Sequence, residues 1–184
     1  MREEVLISVD VEASGESPST GSLLSIGACL VDDPSVGTYL ELRPDHDRPW
    51  SAEAEGIHKL SRQRLELEGL EPADAMARFA TWVEEVAGGR WPVFVGFNAP
   101  FDWMFVADSF WRHLGRNPFG ISALDLKSLY MGSHRVARWE DTRKVNVERR
   151  LGLRFEHTHD ALQDARDQAR LAQVLLQGPI REPE

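Results

Sequence analysis

Hydrophobic and polar positions alternate at the start of the chain. Val5, Ile7, Val9 and Val11 interleave with Leu6, Ser8, Asp10 and Glu12, the period of two that marks a strand. Leu23–Val31 is a nearly continuous apolar run between turn residues, which predicts a buried strand, and Val36–Leu42 alternates again after the turn Asp32-Asp33-Pro34. Three strands with short links predict an antiparallel meander. Residues 44–71 read as irregular and polar. Pro72 fits the first turn of a helix, in which Met76, Phe79, Ala80, Val83 and Val86 recur at helical spacing up to Gly88-Gly89. Pro92–Phe97 predicts a buried strand. Pro100 sits at or near the first position of a second helix, closed by Gly115-Arg116-Asn117-Pro118, and Ile121–Tyr130 predicts a short strand passing into a helical turn. The last helix starts near Asp160, where Asp160 and Gln163 resemble a capping pair. Its small-residue face is Ala161, Ala165, Ala169 and Ala172 with Leu162, Leu171 and Leu175, and Gly178-Pro179 ends it. The layout is mixed α/β.

A chain of 184 residues suits one domain with a sizeable core. The expected organisation is a single domain over residues 1–177 and a loose tail over 178–184. No apolar run approaches the length of a membrane span, and Met1-Arg2-Glu3-Glu4 does not open a secretory signal, so no membrane partner and a cytoplasmic location are expected. The single cysteine, Cys29, excludes an internal disulfide and a cysteine zinc cluster and reads as a small core residue. A net charge of −9 opposes indiscriminate binding to nucleic acid. It leaves room for a nucleic-acid enzyme, because acids gathered at a metal site add to that total and bound divalent ions reverse the local field. Positive charge is concentrated between His134 and Arg154, where Arg135, Arg138, Arg143, Lys144, Arg149, Arg150 and Arg154 stand. Such a stretch is ordinarily a solvated face; here it leads into the last helix and invites contact with a phosphate backbone.

The strand period puts Asp10 and Glu12 on one face, roughly 6.5–7 Å apart, a spacing at which two carboxylates approach one hard cation from different sides. The plain alternative is a solvated strand edge. Asp102 falls in the first turn of its helix, where free backbone N–H groups favour a carboxylate. If His159 lies in a loop and Asp164 in the first turn of the last helix, both face one site; within a continuous helix they would diverge by about 140°. Ligands in open α/β sheets gather beyond strand ends, so these three places can converge.

At these residues the chain resembles the DEDDh 3′-to-5′ exonucleases. Asp10-Val11-Glu12 is similar to the first motif, Asn98-Ala99-Pro100-Phe101-Asp102 to the second, and His159-Asp160-Ala161-Leu162-Gln163-Asp164-Ala165 to the third. Ile57-His58-Lys59-Leu60-Ser61 is similar to a further family segment, and Asp125 lies where members often carry an acid. Ser25 stands where many have Glu. The resemblance implies a ribonuclease-H-like sheet, an antiparallel meander plus parallel strands, flanked by helices. It implies two divalent cations, Mg²⁺ or Mn²⁺, and hydrolysis of terminal phosphodiesters at the 3′ end of single-stranded DNA or RNA. Asp10 would bridge both ions, Glu12 and Asp164 would complete the site of one, Asp102 would hold the other through water, and His159 would act as general base. Ala13, Ser14, Gly15, Ile57, His58, Asn98 and Phe101 would meet the terminal nucleotide. Relatives supply the expectation of a homodimer. Phe101, Trp103, Phe105 and Trp139 read first as core and second as a base-stacking surface; Asp125 and Asp160 read as structural. A catalytically silent binding or regulatory module is disfavoured by the five intact positions, and an endonuclease by the His-x₄-Asp spacing.

Overall fold

Strand β1 (Glu4–Ala13) occupies the middle of a five-stranded sheet, and its two faces are divided by residue parity. Ile7, Val9, Val11 and Ala13 enter one core with the helices that follow β3 and β4, whereas Leu6 and Ser8 turn to the other face. The structure, a computed structural model, describes residues 3–155 and 159–177. The remaining strands are β2 (Leu23–Leu30), β3 (Gly37–Glu41), β4 (Trp91–Gly96) and β5 (Ala123–Asp125), in the order β3-β2-β1-β4-β5. The pairs β1/β2 and β2/β3 are antiparallel, and β1/β4 and β4/β5 are parallel. The predicted meander is therefore present, extended on its other edge by two parallel strands that helices separate. This is the ribonuclease-H-like arrangement. Seven α-helices are described: α1 (Ala52–His58), α2 (Arg62–Glu68), α3 (Pro72–Ala87), α4 (Pro100–Leu114), α5 (Leu126–Ser133), α6 (Lys144–Leu151) and α7 (Ala161–Leu176), with a 3₁₀ turn over Trp139–Thr142.

Helices α3 and α4 cover the face of Ile7, Val9 and Phe94, where Phe79, Phe110 and Phe119 pack ring on ring. Helix α7 covers the opposite face. Ala161, Ala165, Ala169 and Ala172 are all buried, as the small-residue stripe predicts, and the Ser8 hydroxyl donates to the Ala165 carbonyl at 2.8 Å. Close approach is possible because β2 carries Gly27 directly opposite Asp10. A Cβ at Gly27 would lie 2.1 Å from the Ala161 carbonyl carbon. Gly27→Ala must therefore push the start of α7 off the sheet. We expect it to destabilise the fold by about 1–3 kcal/mol or more, measured by urea denaturation; wild-type stability in that variant would show that α7 does not lie so close.

Two short helices occupy the span expected to be irregular. Ser51 and Ser61 cap them, accepting from the N–H groups of Ala54 (3.2 Å) and Arg64 (3.4 Å). Each is seven residues long and buries a single side chain, His58 or Leu65, so neither leaves a readable hydrophobic period. The capping pair of α7 is half of what was expected. The Asp160 carboxylate accepts from the Gln163 N–H at 2.8 Å, but the Gln163 amide donates to Asp167 at 3.1 Å instead of reaching back. Cys29 is fully buried, and Asp125 caps α5. Phe105 is core, and Trp103 is half-buried with its ring edge-on to Phe94, so neither is a free stacking face. Trp139 is half-exposed beneath the Lys127 ammonium, 4.2 Å from its ring centre. No helix among the described residues is long and apolar enough to cross a membrane. His157 and the expected tail, residues 178–184, lie outside the described residues.

Candidate active site

The parity that sends Leu6 and Ser8 toward α7 also sends Asp10 and Glu12 there. Asp102 comes from the first turn of α4, entered through Asn98 in the left-handed region (φ 61°). Its Oδ1 accepts from the Val11 backbone N–H at 3.1 Å, which ties α4 to β1 between the two strand acids. Asp164 occupies the first turn of α7, and His159 precedes the N-cap in the left-handed region (φ 54°). The bend at His159 does what a continuous helix would forbid: ligand atoms of Glu12, His159 and Asp164 all lie within 4.8 Å of one another. Asp10, Glu12, Asp102, His159 and Asp164 line one cleft of about 270 Å³ with Asn98, Phe101 and Lys144. Asp102 and Asp164 are only 5% and 6% exposed, and His159 lies open to solvent.

Crowding of acids in a buried place raises their proton affinity. Burial is the largest cause for Asp10, followed by the charges of Asp102, Asp164 and Glu12, and its pKa stands well above the usual carboxylate range. Burial and then Asp164 and Asp102 push Glu12 up to about 8. Burial pushes Asp102 up to about 7, against the opposing pull of the Val11 N–H. One cation already enters the cluster. Lys144, the first residue of α6, brings its Nζ to 3.3 Å from Asp164 Oδ1 and lowers the proton affinity of Asp10 and Asp102. The donor set is hard oxygen with one imidazole, and no thiolate, so it fits a divalent ion such as Mg²⁺ or Mn²⁺.

Beside the cleft, and sharing Glu12 and Phe101 with it, lies a wider groove of about 630 Å³. Ala13, Gly15, Ile57 and His58 line it. Two of the residues expected at the substrate also hold the loop that follows β1. The Ser14 hydroxyl donates to the Pro49 carbonyl and accepts from the Ser22 N–H. Gly15 is required by that loop as well, since a Cβ there would lie 2.7 Å from the Thr20 carbonyl oxygen. Asp125, which the sequence marks as structural, accepts from the N–H groups of Lys127, Ser128 and Ala99, and so holds the loop that launches α4.

The basic stretch separates into parts. Lys144 reaches the acids, Arg143 pairs with Glu140, and Arg149 and Arg150 lie exposed in the last turn of α6. Sequence reasoning grouped Lys144 with its neighbours and missed its place in the cleft; its position at the first turn of α6 becomes visible only once α6 is set against α7. Gln168 was missed too, although it lies one helical turn beyond Asp164, on the same side of α7. Its Nε2 donates to Asp10 Oδ1 and its Oε1 accepts from the Phe97 N–H at 2.7 Å.

A mixed sheet carries four acids and a histidine gathered over the end of its central strand, the layout that the resemblance to the DEDDh 3′-to-5′ exonucleases implies. More narrowly, the chain belongs to the family of Rv2179c-like 3′-5′ exoribonuclease domains, whose profile matches residues 5–176. It is 44% identical over 176 residues to the 3′-5′ DNA exonuclease Cap18 of Escherichia coli, a match covering 94% of this chain and 91% of Cap18. Its fold is similar to the nuclease domain of 3′hExo, a DEDDh member bound to rAMP (TM-score 0.76, 14% identity, 98% of this chain and 97% of that one). It is similar also to E. coli exonuclease I with a dT13 oligonucleotide (TM-score 0.73, 17% identity), of which the match spans 95% of this chain but 41% of exonuclease I. A zinc-bound form of exonuclease I with single-stranded DNA has the same fold (TM-score 0.69, 17% identity, 96% and 41%).

Proposed function

We propose that the protein removes nucleotides one at a time from the 3′ end of single strands, with Asp10, Glu12, Asp102 and Asp164 holding two divalent cations and His159 taking the proton from the attacking water. The observation that carries this reading is the meeting of Glu12, His159 and Asp164 within 4.8 Å, in the cleft that Asp10 and Asp102 also line. When bound, a pair of Mg²⁺ or Mn²⁺ ions supplies charge stabilisation to the entering and leaving oxygens of an in-line displacement. The protein's own part is to orient and to move a proton. Asp10, whose proton affinity both Asp102 and Asp164 raise, would help to hold both ions. Glu12 and Asp164, which meet His159, would hold one of them, and Asp102 would help to hold the other. His159, open to solvent beside Glu12 and Asp164, would take the proton of the attacking water. No covalent nucleophile is required.

The terminal nucleotide would lie in the adjoining groove against Phe101 and Ile57, the latter 49% exposed, with Asn98 at the cleft end. Residues 1–177 act as a single exonuclease domain in this reading, in the cytoplasm. Single-stranded DNA is the favoured substrate, because the relative that shares 44% of residues across nearly the whole chain acts on DNA.

The test is a pair of matched 5′-labelled single strands, one DNA and one RNA, incubated with Mn²⁺. A descending ladder that builds faster on DNA is the expected result. Internal cuts would replace this reading with an endonuclease, an intact strand would replace it with a silent binding module, and a faster ladder on RNA would reverse the substrate assignment.

A further inference from the structure

Three elements that bear the site meet on the amide of Gln168. Asp10 lies near the end of β1, Phe97 is the first residue after β4 in the loop that leads to Asp102, and Gln168 itself lies on α7, four residues beyond Asp164. The side chain is 1% exposed, yet both of its ends are paired: Nε2 donates to Asp10 Oδ1, and Oε1 accepts from the Phe97 N–H at 2.7 Å. The second bond decides the first. A backbone N–H can only donate, so the Gln168 oxygen must face Phe97 and its NH₂ must face Asp10. A carboxylate two bonds from free rotation is thereby held through one oxygen, and its other oxygen is left for a ligand.

The loop between Phe97 and Asp102 is pinned twice. Gln168 holds the Phe97 N–H, and Asp125 holds the Ala99 N–H at 3.0 Å, on either side of Asn98 with its left-handed backbone. Gln168 therefore couples the orientation of Asp10 to the position of the loop that delivers Asp102.

The geometry points to Gln168 as a positioning residue for the divalent-ion site: it presets Asp10 for the ions and fixes Asp10 against the loop that carries Asp102. This rests on the proposed function, since it concerns how the same acids are held. Partners of this kind, which orient a ligating carboxylate, typically change metal affinity or activity by about 10–100-fold when removed.

Two substitutions separate the bonds. Gln168→Met keeps the volume and loses both. Gln168→Glu keeps an acceptor for the Phe97 N–H, so the loop stays anchored, but it puts an acid where the amide donor to Asp10 stood: ionised it sets a like charge against Asp10, and protonated it holds a proton that cation binding must displace. Mn²⁺ binding to the metal-free protein is followed by electron paramagnetic resonance, and turnover of a single-stranded DNA oligomer is measured alongside. Gln168→Met should bind Mn²⁺ about 10–100-fold more weakly. Gln168→Glu should lose at least about tenfold in kcat with KM for the oligomer within about twofold. A role confined to packing would lower melting temperature and leave Mn²⁺ affinity unmoved. Wild-type Mn²⁺ affinity in Gln168→Met would overturn the inference; should that variant fail to fold, a wild-type kcat in Gln168→Glu would do so. A wild-type protein that binds no Mn²⁺ and degrades no oligomer would instead overturn the functional reading, and this inference with it.

Discussion

Asp10→Asn will lower turnover of single-stranded DNA by at least about 1,000-fold, a loss of roughly 4 kcal/mol of transition-state stabilisation, while the protein remains folded and melts no earlier than wild type. Both halves follow from the same crowding. Asp10 stands among Asp102, Asp164 and Glu12 with its proton affinity raised by burial and by their charges, so the ionised form is held there at a cost that only a cation relieves. Asparagine removes the charge that would bind both ions and keeps an oxygen to accept from Gln168 Nε2. It should thus cost catalysis heavily and cost the fold nothing. Steady-state kinetics with 5′-labelled strands and thermal melts in a chelator test the two halves together. Activity within tenfold of wild type would remove Asp10 from the chemistry. A fall in melting temperature of several degrees would show that its charge is a structural partner and not a burden.

That prediction depends on features of very different legibility. The strand period alone places Asp10 and Glu12 on one face, because alternation is a local property that survives into the sheet. Pro100 and Gly115 bounded α4, so Asp102 could be set in a first turn. His159 and Asp164 required more: their shared site depends on the left-handed backbone at His159, which sequence spacing could only suppose. What stayed hidden is long-range or short-lived in pattern. Lys144 reaches Asp164 across twenty residues, and Gln168 reaches Asp10 across 158; no periodicity marks either. The helices α1 and α2 are too brief to show a face. Ser14 and Gly15, which follow Glu12 directly and are expected at the substrate, also hold their own loop, a demand that arises only when the chain closes on itself at Thr20 and Ser22.

Raising the pH will destabilise the metal-free protein, and added Mn²⁺ will restore what is lost. Glu12, whose ordinary pKa is 4.5, stands at about 8 in the fold, and Asp102, ordinarily 3.8, at about 7. A carboxyl whose pKa is higher folded than unfolded favours the fold while it is protonated. That contribution is complete below the unfolded value and drains away as pH rises to the folded one, between about 4.5 and 8 for Glu12 and between about 3.8 and 7 for Asp102. The two share a mutual repulsion and do not add, so the combined loss is about 3–5 kcal/mol. For a chain of this size it corresponds to a drop of about 6–20 °C in melting temperature from about pH 5 to about pH 9. Lys144 offsets part of the repulsion at Asp10 and Asp102. Divalent binding must displace the remaining protons, so its affinity grows as they leave. The thermal upshift from Mn²⁺ at 100 times its dissociation constant is worth about 2.7 kcal/mol, and at a fixed Mn²⁺ concentration the upshift will be larger at about pH 8.5 than at about pH 6. Melts across pH in chelator and in Mn²⁺, with Glu12→Gln beside wild type, read all of this at once. Glu12→Gln should flatten the chelator curve between about pH 4.5 and about pH 8, the window over which the Glu12 contribution drains away in wild type. An unchanged slope in that variant, or a Mn²⁺ upshift of the same size at both pH values, would mean that the repelling acids are not what binds the cation.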